Sequence, residues 1–355
     1  MTRRRAERIA WIIGGIGLAG ASASTILAPV AFPHAWLAAL TTWLGWPLGC
    51  MGLLLVHALT GGQWGHATRP QLVAGMTSLV LLPPALIPLI MVLPALYPWL
   101  RPEVAAHLSN GFYLNLPFLT MRTVAYLIVW FGLGVLILNA LRRSDANARL
   151  ARIAPFGLIL LAVSITFAAI DATMSLDPHF TSSVYGLITI VDMGLLALAV
   201  SIFAAIIQQA ADSGTMRDFG RMLLALVILW AYLDFVQMLI VWQADLPDEA
   251  AWYIPRIRGG WGIMAGLIAT GHFLLPFFVL LSPALQRSRL WIAFITALLI
   301  VIEIIRGWWL VLPAAGRGFG PVDVLAMLAV LGIGTALALR APLLPFYSVT
   351  EARRV

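Results

Sequence analysis

The 355-residue chain has no lysine; all 22 of its basic residues are arginine. A GC-rich genome produces that bias by itself, so only the positions of the arginines carry an argument. Charge of either sign is scarce, at 10% of residues, as expected where lipid makes ionised side chains costly. The single cysteine, Cys50, excludes an internal disulfide, a chain-contained iron–sulfur cluster and a C-x-x-C-H haem attachment. There is no H-E-x-x-H or comparable metal spacing and no phosphate-cradling loop. The stretch "GGQWG" (Gly61 to Gly65) reads as a flexible inner-face turn.

Hydrophobic residues make up 61% of the chain, far above ordinary soluble usage. They fall into ten apolar runs, each long enough for the roughly 20 residues that cross a bilayer. The runs lie near 10–31, 35–60, 71–98, 117–141, 152–174, 182–210, 219–243, 259–282, 288–312 and 321–341. The expected fold is therefore an all-α, polytopic membrane protein with ten transmembrane helices. The opening "MTRRRAERIAWIIGGIGLAGASAS" contains an "ASA" that resembles a signal-peptidase site. Its apolar run continues through "TILAPVAF" to spanning length, which favours a retained first helix.

The net charge of +7 fits membrane orientation better than nucleic-acid binding. With the N-terminus in the cytoplasm, sixteen arginines fall in inside segments, Arg353 and Arg354 among them. Only Arg101, Arg256, Arg258 and Arg317 fall outside. Ten spans then leave both termini inside. The segment "DATMSLDPHF", Asp171 to Phe180, becomes an outer turn between helices five and six, which Pro178 suits because it disfavours helix at Asp177.

Ionisable groups inside predicted helices are His57, Arg122, Asp171, Asp192, Asp234, His272, Glu303 and Arg306, with Asp323 just inside helix ten. At bilayer depth such groups are functional candidates by default; the competing reading is a structural ion pair or a bond to a freed backbone group. Arg122 and Asp171 share an outer depth, which predicts a buried pair. Asp192 lies near mid-membrane, Asp234 roughly 12 Å from Trp242 and His272 roughly 20 Å along helix eight. Glu303 and Arg306, three residues apart, share a face that should point into the helix bundle, towards Asp192, Asp234 or His272. The set suits a proton relay or half-channel, and equally a polar bundle core that helps helices associate. Histidine pairs give no case for an axially ligated haem: His57 and His272 lie at different depths, and His34, His66, His107 and His179 fall in loops or at interfaces.

The segment "WQADLPDEAAWYIPRIRGGW" places Asp245, Asp248 and Glu249 beside Trp242, Trp252, Tyr253 and Trp261. It reads as a loop anchored in the interfacial aromatic belt, or as a docking surface for an outer-face partner. Trp99, Trp308 and Trp309 extend the belt.

Four stretches taken in order carry a family resemblance: "FYLNLPFLTMRTVAYLIVW", "MSLDPHFTSSVYG", "WAYLDFVQMLIVWQADLPDEAAWYIPR" and "HFLLPFFVLLSPALQRSRLWIAFITALLIVIEIIRGWWLVLPA". Together, over roughly Tyr113 to Ala314, they resemble the ActF family, the NrfD-like (polysulfide reductase membrane-subunit-like) subunits of alternative complex III. The resemblance implies an N-terminal helix within 1–34, a four-helix bundle over 35–174, a second over 182–313, and a tenth helix with a short tail over 321–355. It implies a cofactor-free subunit of a bacterial quinol:cytochrome c (electron acceptor) oxidoreductase in the inner membrane. An ActC-like paralogue would carry the better-supported quinol site, haems and iron–sulfur clusters would belong to partner subunits, and a terminal oxidase is a further expected neighbour. The chain departs from the family where an acid is expected beside Trp308 and Trp309 and Arg306 stands near them, and at Asp234, where the family is more often apolar.

Proton-relay candidates are thus Asp171, Asp192, Asp234, His272, Glu303 and Arg306. A quinone (quinol or menaquinol) site, or its relic, would use Asp171, His179 and Arg122 with the outer aromatic rim. Two alternatives remain open: a quinone-binding subunit of another NrfD-type complex, and a stand-alone secondary transporter, for which the proline-rich "LLPPALIPLIMVLP" would supply a broken helix.

Overall fold

A computed structural model describes residues 2–108, 110–209 and 212–341; the C-terminal tail, with Arg353 and Arg354, lies outside the described residues. The chain is an all-α, multi-pass membrane protein, with ten helices among the described residues long and apolar enough to span. They are helix one (Arg3–Leu27), two (Phe32–Thr60), three (Gln63–Leu96), four (Leu116–Leu141), five (Ala146–Leu176), six (Tyr185–Ile207), seven (Gly214–Ala244), eight (Gly259–Leu281), nine (Arg289–Ala315) and ten (Pro321–Arg340).

Local chemistry sets the ends. Helices two, four and ten begin with Pro33, Pro117 and Pro321 in the first turn, where a missing N–H costs nothing. Asn115 and Asp212 cap helices four and seven by accepting hydrogen bonds from the backbone N–H of Phe118 (2.9 Å) and Thr215 (2.8 Å). The Thr215 bonds hold the Asp212 carboxyl below the usual carboxylate range. Gly61 and Gly62, both at positive φ, make the turn between helices two and three.

Three expected boundaries change. Helix three starts at Gln63 rather than near 71, so the flexible turn shrinks from "GGQWG" to two glycines. Helix one runs from Arg3 to Leu27 instead of 10–31; its arginine-rich start is already helical, and a bend at residues 28–31, around Pro29, ends it. The segment expected as an anchored loop between helices seven and eight contains an 11-residue helix, Pro247–Ile257. In helix three a 3₁₀ turn at Ser78–Leu81 precedes Pro83 and Pro84, while Pro88 and Pro94 sit inside the following α-helical segment. Proline removes i→i−4 bonds, which accounts for the 3₁₀ turn there.

Helix two is the most enclosed and packs against helices three, five, six, nine and ten. Helices four and five pair with one another; helices six, seven, eight and nine pack together, and helices five and six join the two groups. Helix one lies along helix ten, where Gly14 and Gly17 meet the backbone of Gly332 and Ala329, the close approach that small residues permit in lipid. The start of helix one also meets the end of helix ten: Arg3 Nε donates to the Leu339 carbonyl at 2.6 Å. Broad apolar rows face outward, including Val124, Ile128, Phe156, Ile159, Phe235 and Phe278, as expected of lipid-facing surface.

Candidate functional site: a buried charge cluster among helices six to nine

Four helices each contribute to one polar cluster. Arg306 of helix nine donates to Asp192 of helix six through Nε (3.1 Å to each oxygen) and a terminal nitrogen (2.9 Å to Oδ2). Its other terminal nitrogen lies 3.5 Å from Asp234 Oδ1 on helix seven. One turn earlier on helix nine, Glu303 Oε1 lies 2.8 Å from His272 Nε2 of helix eight. Trp230, four residues before Asp234, packs its ring against His272 with centroids 3.9 Å apart, and Arg306 faces the same ring. His272, Glu303 and Arg306 are buried, whereas the Asp234 side chain is 41% exposed. The cluster therefore opens onto the outer surface of the helix bundle at Asp234.

Helix eight is deformed at this point. Ala269–Leu274 is π-helical, with His272 inside it and Pro276 just after. Such bulges leave carbonyls less tightly bonded and recur at functional positions. Three acids here face one guanidinium and one imidazole, so the cluster holds more acidic groups than fixed cations. Asp192, His272 and Glu303 also bring ligand atoms within 4.8 Å of one another, but a cation bound there would compete with Arg306 for Asp192.

A second buried pair lies in the other helix group. Arg122 donates to Asp171 through Nε (2.9 Å) and a terminal nitrogen (2.8 Å), and Tyr126 Oη donates to Asp171 Oδ2 at 2.7 Å. The remaining guanidinium nitrogen donates to the Tyr113 carbonyl at 3.1 Å. Tyr113 and Phe118 cover the guanidinium, 3.8 and 4.3 Å from their ring centroids. Both Asp171 oxygens are thus engaged inside the protein. His179 is exposed on the turn, which Asp177 orders by accepting from the His179 backbone N–H at 3.2 Å. The structure brings Arg122 and Asp171 together and leaves the His179 side chain at the surface.

The remaining ionisable candidates are dispersed. His57 Nε2 lies 3.0 Å from the Gly62 carbonyl, and its ring meets Trp64 and His66. Asp323 binds Arg317 and accepts from the Gly320 N–H. Arg256, counted among the outside arginines, is buried in the short Pro247–Ile257 helix. It donates to the carbonyls of Trp252 (2.6 Å) and Leu310 (2.7 Å) and stacks on Trp252; burial pushes its pKa down to about 10. Tyr126 and Trp230 were detectable only as i,i+4 neighbours of Arg122 and Asp234, and nothing in the sequence marks the π segment. No protein-family model matches the chain, and no curated protein matches it either.

Proposed function

We propose that the chain is a proton-handling membrane subunit of a respiratory quinol-oxidising complex, with the Asp192–Arg306–Asp234 and His272–Glu303 groups as its proton-bearing site. The observation that carries this reading is the closeness of the two groups. Five ionisable side chains from four helices form two bonded groups, His272–Glu303 and Asp192–Arg306–Asp234, whose Asp192, His272 and Glu303 ligand atoms lie within 4.8 Å of one another, enclosed at His272 and open at Asp234. Ionisable groups are expensive at this depth, and a cluster with more acids than fixed cations can change its proton count without losing its scaffold.

The finer identity rests on the sequence resemblance. The chain is read as an ActF-like, cofactor-free subunit of alternative complex III in a bacterial inner membrane, both termini cytoplasmic, beside an ActC-like paralogue and haem- and iron–sulfur-bearing subunits. The π segment at His272 also suits a secondary transporter, since transporters place irregular helices at midplane sites.

Affinity purification of the tagged chain from its native membrane tests both readings. The first expects co-purifying haem and iron–sulfur subunits, quinol oxidation, and a lower ratio of protons to electrons in Asp234→Asn with assembly intact. An unaltered ratio in that variant would remove the cluster from proton handling. A chain that purifies without redox partners and exchanges a solute across liposomes would establish the transporter reading instead.

A further inference from the structure

A cleft of about 620 Å³ lies between the end of helix four and the start of helix five, and Arg142, Arg143, Arg149 and Arg152 line it together with Leu136 and Ile153. Asp145 lies between these arginines, bound by Arg149 Nε at 2.6 Å and approached by Arg152 at 3.7 Å. Among the described residues, one carboxylate cannot neutralise Arg143, Arg149 and Arg152 together, so the cleft keeps a surplus of positive charge.

The apolar part of the cleft narrows the ligand class. Leu136 is 51% exposed and Phe156, further along helix five, 77%; with Ile159 they continue outward-facing apolar surface away from the arginines. A ligand with an anionic head and hydrocarbon tails would satisfy both regions at once. A phosphodiester offers two non-bridging oxygens, which match the fork of a guanidinium. Basic pockets between transmembrane helices at the headgroup level bind anionic lipid heads by this chemistry.

We infer that the cleft between helices four and five binds the phosphate headgroup of an anionic phospholipid. Its acyl chains lie along the Leu136–Phe156–Ile159 surface. The site is independent of the charge cluster among helices six to nine.

The test is lipid binding to the detergent-purified full chain by native mass spectrometry. Cardiolipin, phosphatidylglycerol and phosphatidylcholine of matched acyl chains are titrated, with inorganic phosphate as competitor. The expected result is one tight site for the anionic lipids, weak binding of phosphatidylcholine, and no displacement by phosphate. Arg142→Gln/Arg143→Gln/Arg152→Gln should weaken anionic-lipid binding by about fivefold for each arginine removed. Arg4→Gln/Arg5→Gln, exposed arginines at the start of helix one, should leave it unchanged. Wild-type affinity in the triple variant, or equal affinity for phosphatidylcholine, overturns the inference. Displacement by inorganic phosphate overturns it in favour of a free-anion site. Should the triple variant not fold, Arg152→Gln decides alone, since that side chain is 72% exposed: weaker binding supports the site and unchanged binding sinks it.

Discussion

Arg306 on helix nine holds both oxygens of Asp192 on helix six and, with its free terminal nitrogen, reaches Asp234 on helix seven. One guanidinium thus ties three membrane-spanning helices together. Removing it leaves two carboxyl groups facing each other without a fixed cation. Loss of one partner of a buried pair typically costs about 3–5 kcal/mol, more than loss of both. Arg306→Gln should therefore destabilise the purified protein by that order, and Arg306→Gln/Asp192→Asn should recover part of the loss. Thermal unfolding in detergent measures both; a double variant no better than the single would mean that the pair does not hold these helices together.

Glu303 should behave differently. Its partner is His272, not Arg306, so Glu303→Gln keeps a side chain able to hydrogen-bond the imidazole. Assembly should survive with a stability change within about 1 kcal/mol. Proton translocation per electron should fall, because an amide cannot take up a proton in the working range. Unchanged translocation would make the His272–Glu303 contact structural.

The ten-helix architecture was legible because hydropathy is summed over some twenty residues, and no single residue decides it. The location of the cluster was legible for a related reason: buried ionisable groups are so costly that their helical faces must point inward. Pairing was not. The i,i+3 spacing of Glu303 and Arg306 shows a shared face, but the two side chains diverge to different helices, and the choice depends on how helices six, seven and eight rotate against helix nine. The Pro247–Ile257 helix was hidden by its two prolines and its acidic start. Pro247 sits in the first turn, where proline is favourable, and Arg256, counted among the outside arginines, is buried.

The Arg122–Asp171 pair separates charge from hydrogen bonding. Tyr126→Phe removes one neutral donor to Asp171 and should cost about 1 kcal/mol. Asp171→Asn leaves the Arg122 charge buried and should cost about 3–5 kcal/mol, seen as impaired assembly or turnover. Chemical denaturation of the two variants side by side gives the comparison. Equal losses would mean that Arg122 finds another acceptor, and normal quinol oxidation with intact assembly in Asp171→Asn would remove Asp171 from the mechanism.

Acid should loosen the start of helix seven. The bonds from Thr215 lower the Asp212 pKa in the folded state. A carboxyl with a depressed folded pKa contributes stability above its unfolded pKa, and that contribution disappears as pH falls through the folded value. Amide exchange at Thr215, corrected for its intrinsic pH dependence, should accelerate on acidification in the wild type. In Asp212→Asn the cap remains without a titrating group, so the acid-dependent change should vanish. The same acid response in both proteins would assign the effect to another group.

Helix one is held to helix ten by backbone proximity, with little side-chain interlock at the point of closest approach. A Cβ on Gly17 would collide with the backbone of Ala329 and lie 2.8 Å from the Leu325 carbonyl oxygen. A Cβ on Gly15 meets nothing within 4 Å. Gly17→Leu should therefore force the two helices apart, whereas Gly15→Leu, facing outward, should be tolerated. Overpacking of this kind usually costs about 1–3 kcal/mol, and rigid backbone on the receiving side gives little room for relief. Paired cysteines at Ala10 and Ala336, in a Cys50→Ala background, would report the separation by disulfide cross-linking in membranes. The yield in the paired-cysteine protein without a glycine substitution serves as the reference. Gly17→Leu should lower it and Gly15→Leu should not; equal yields would show that helix one does not depend on its glycines for docking.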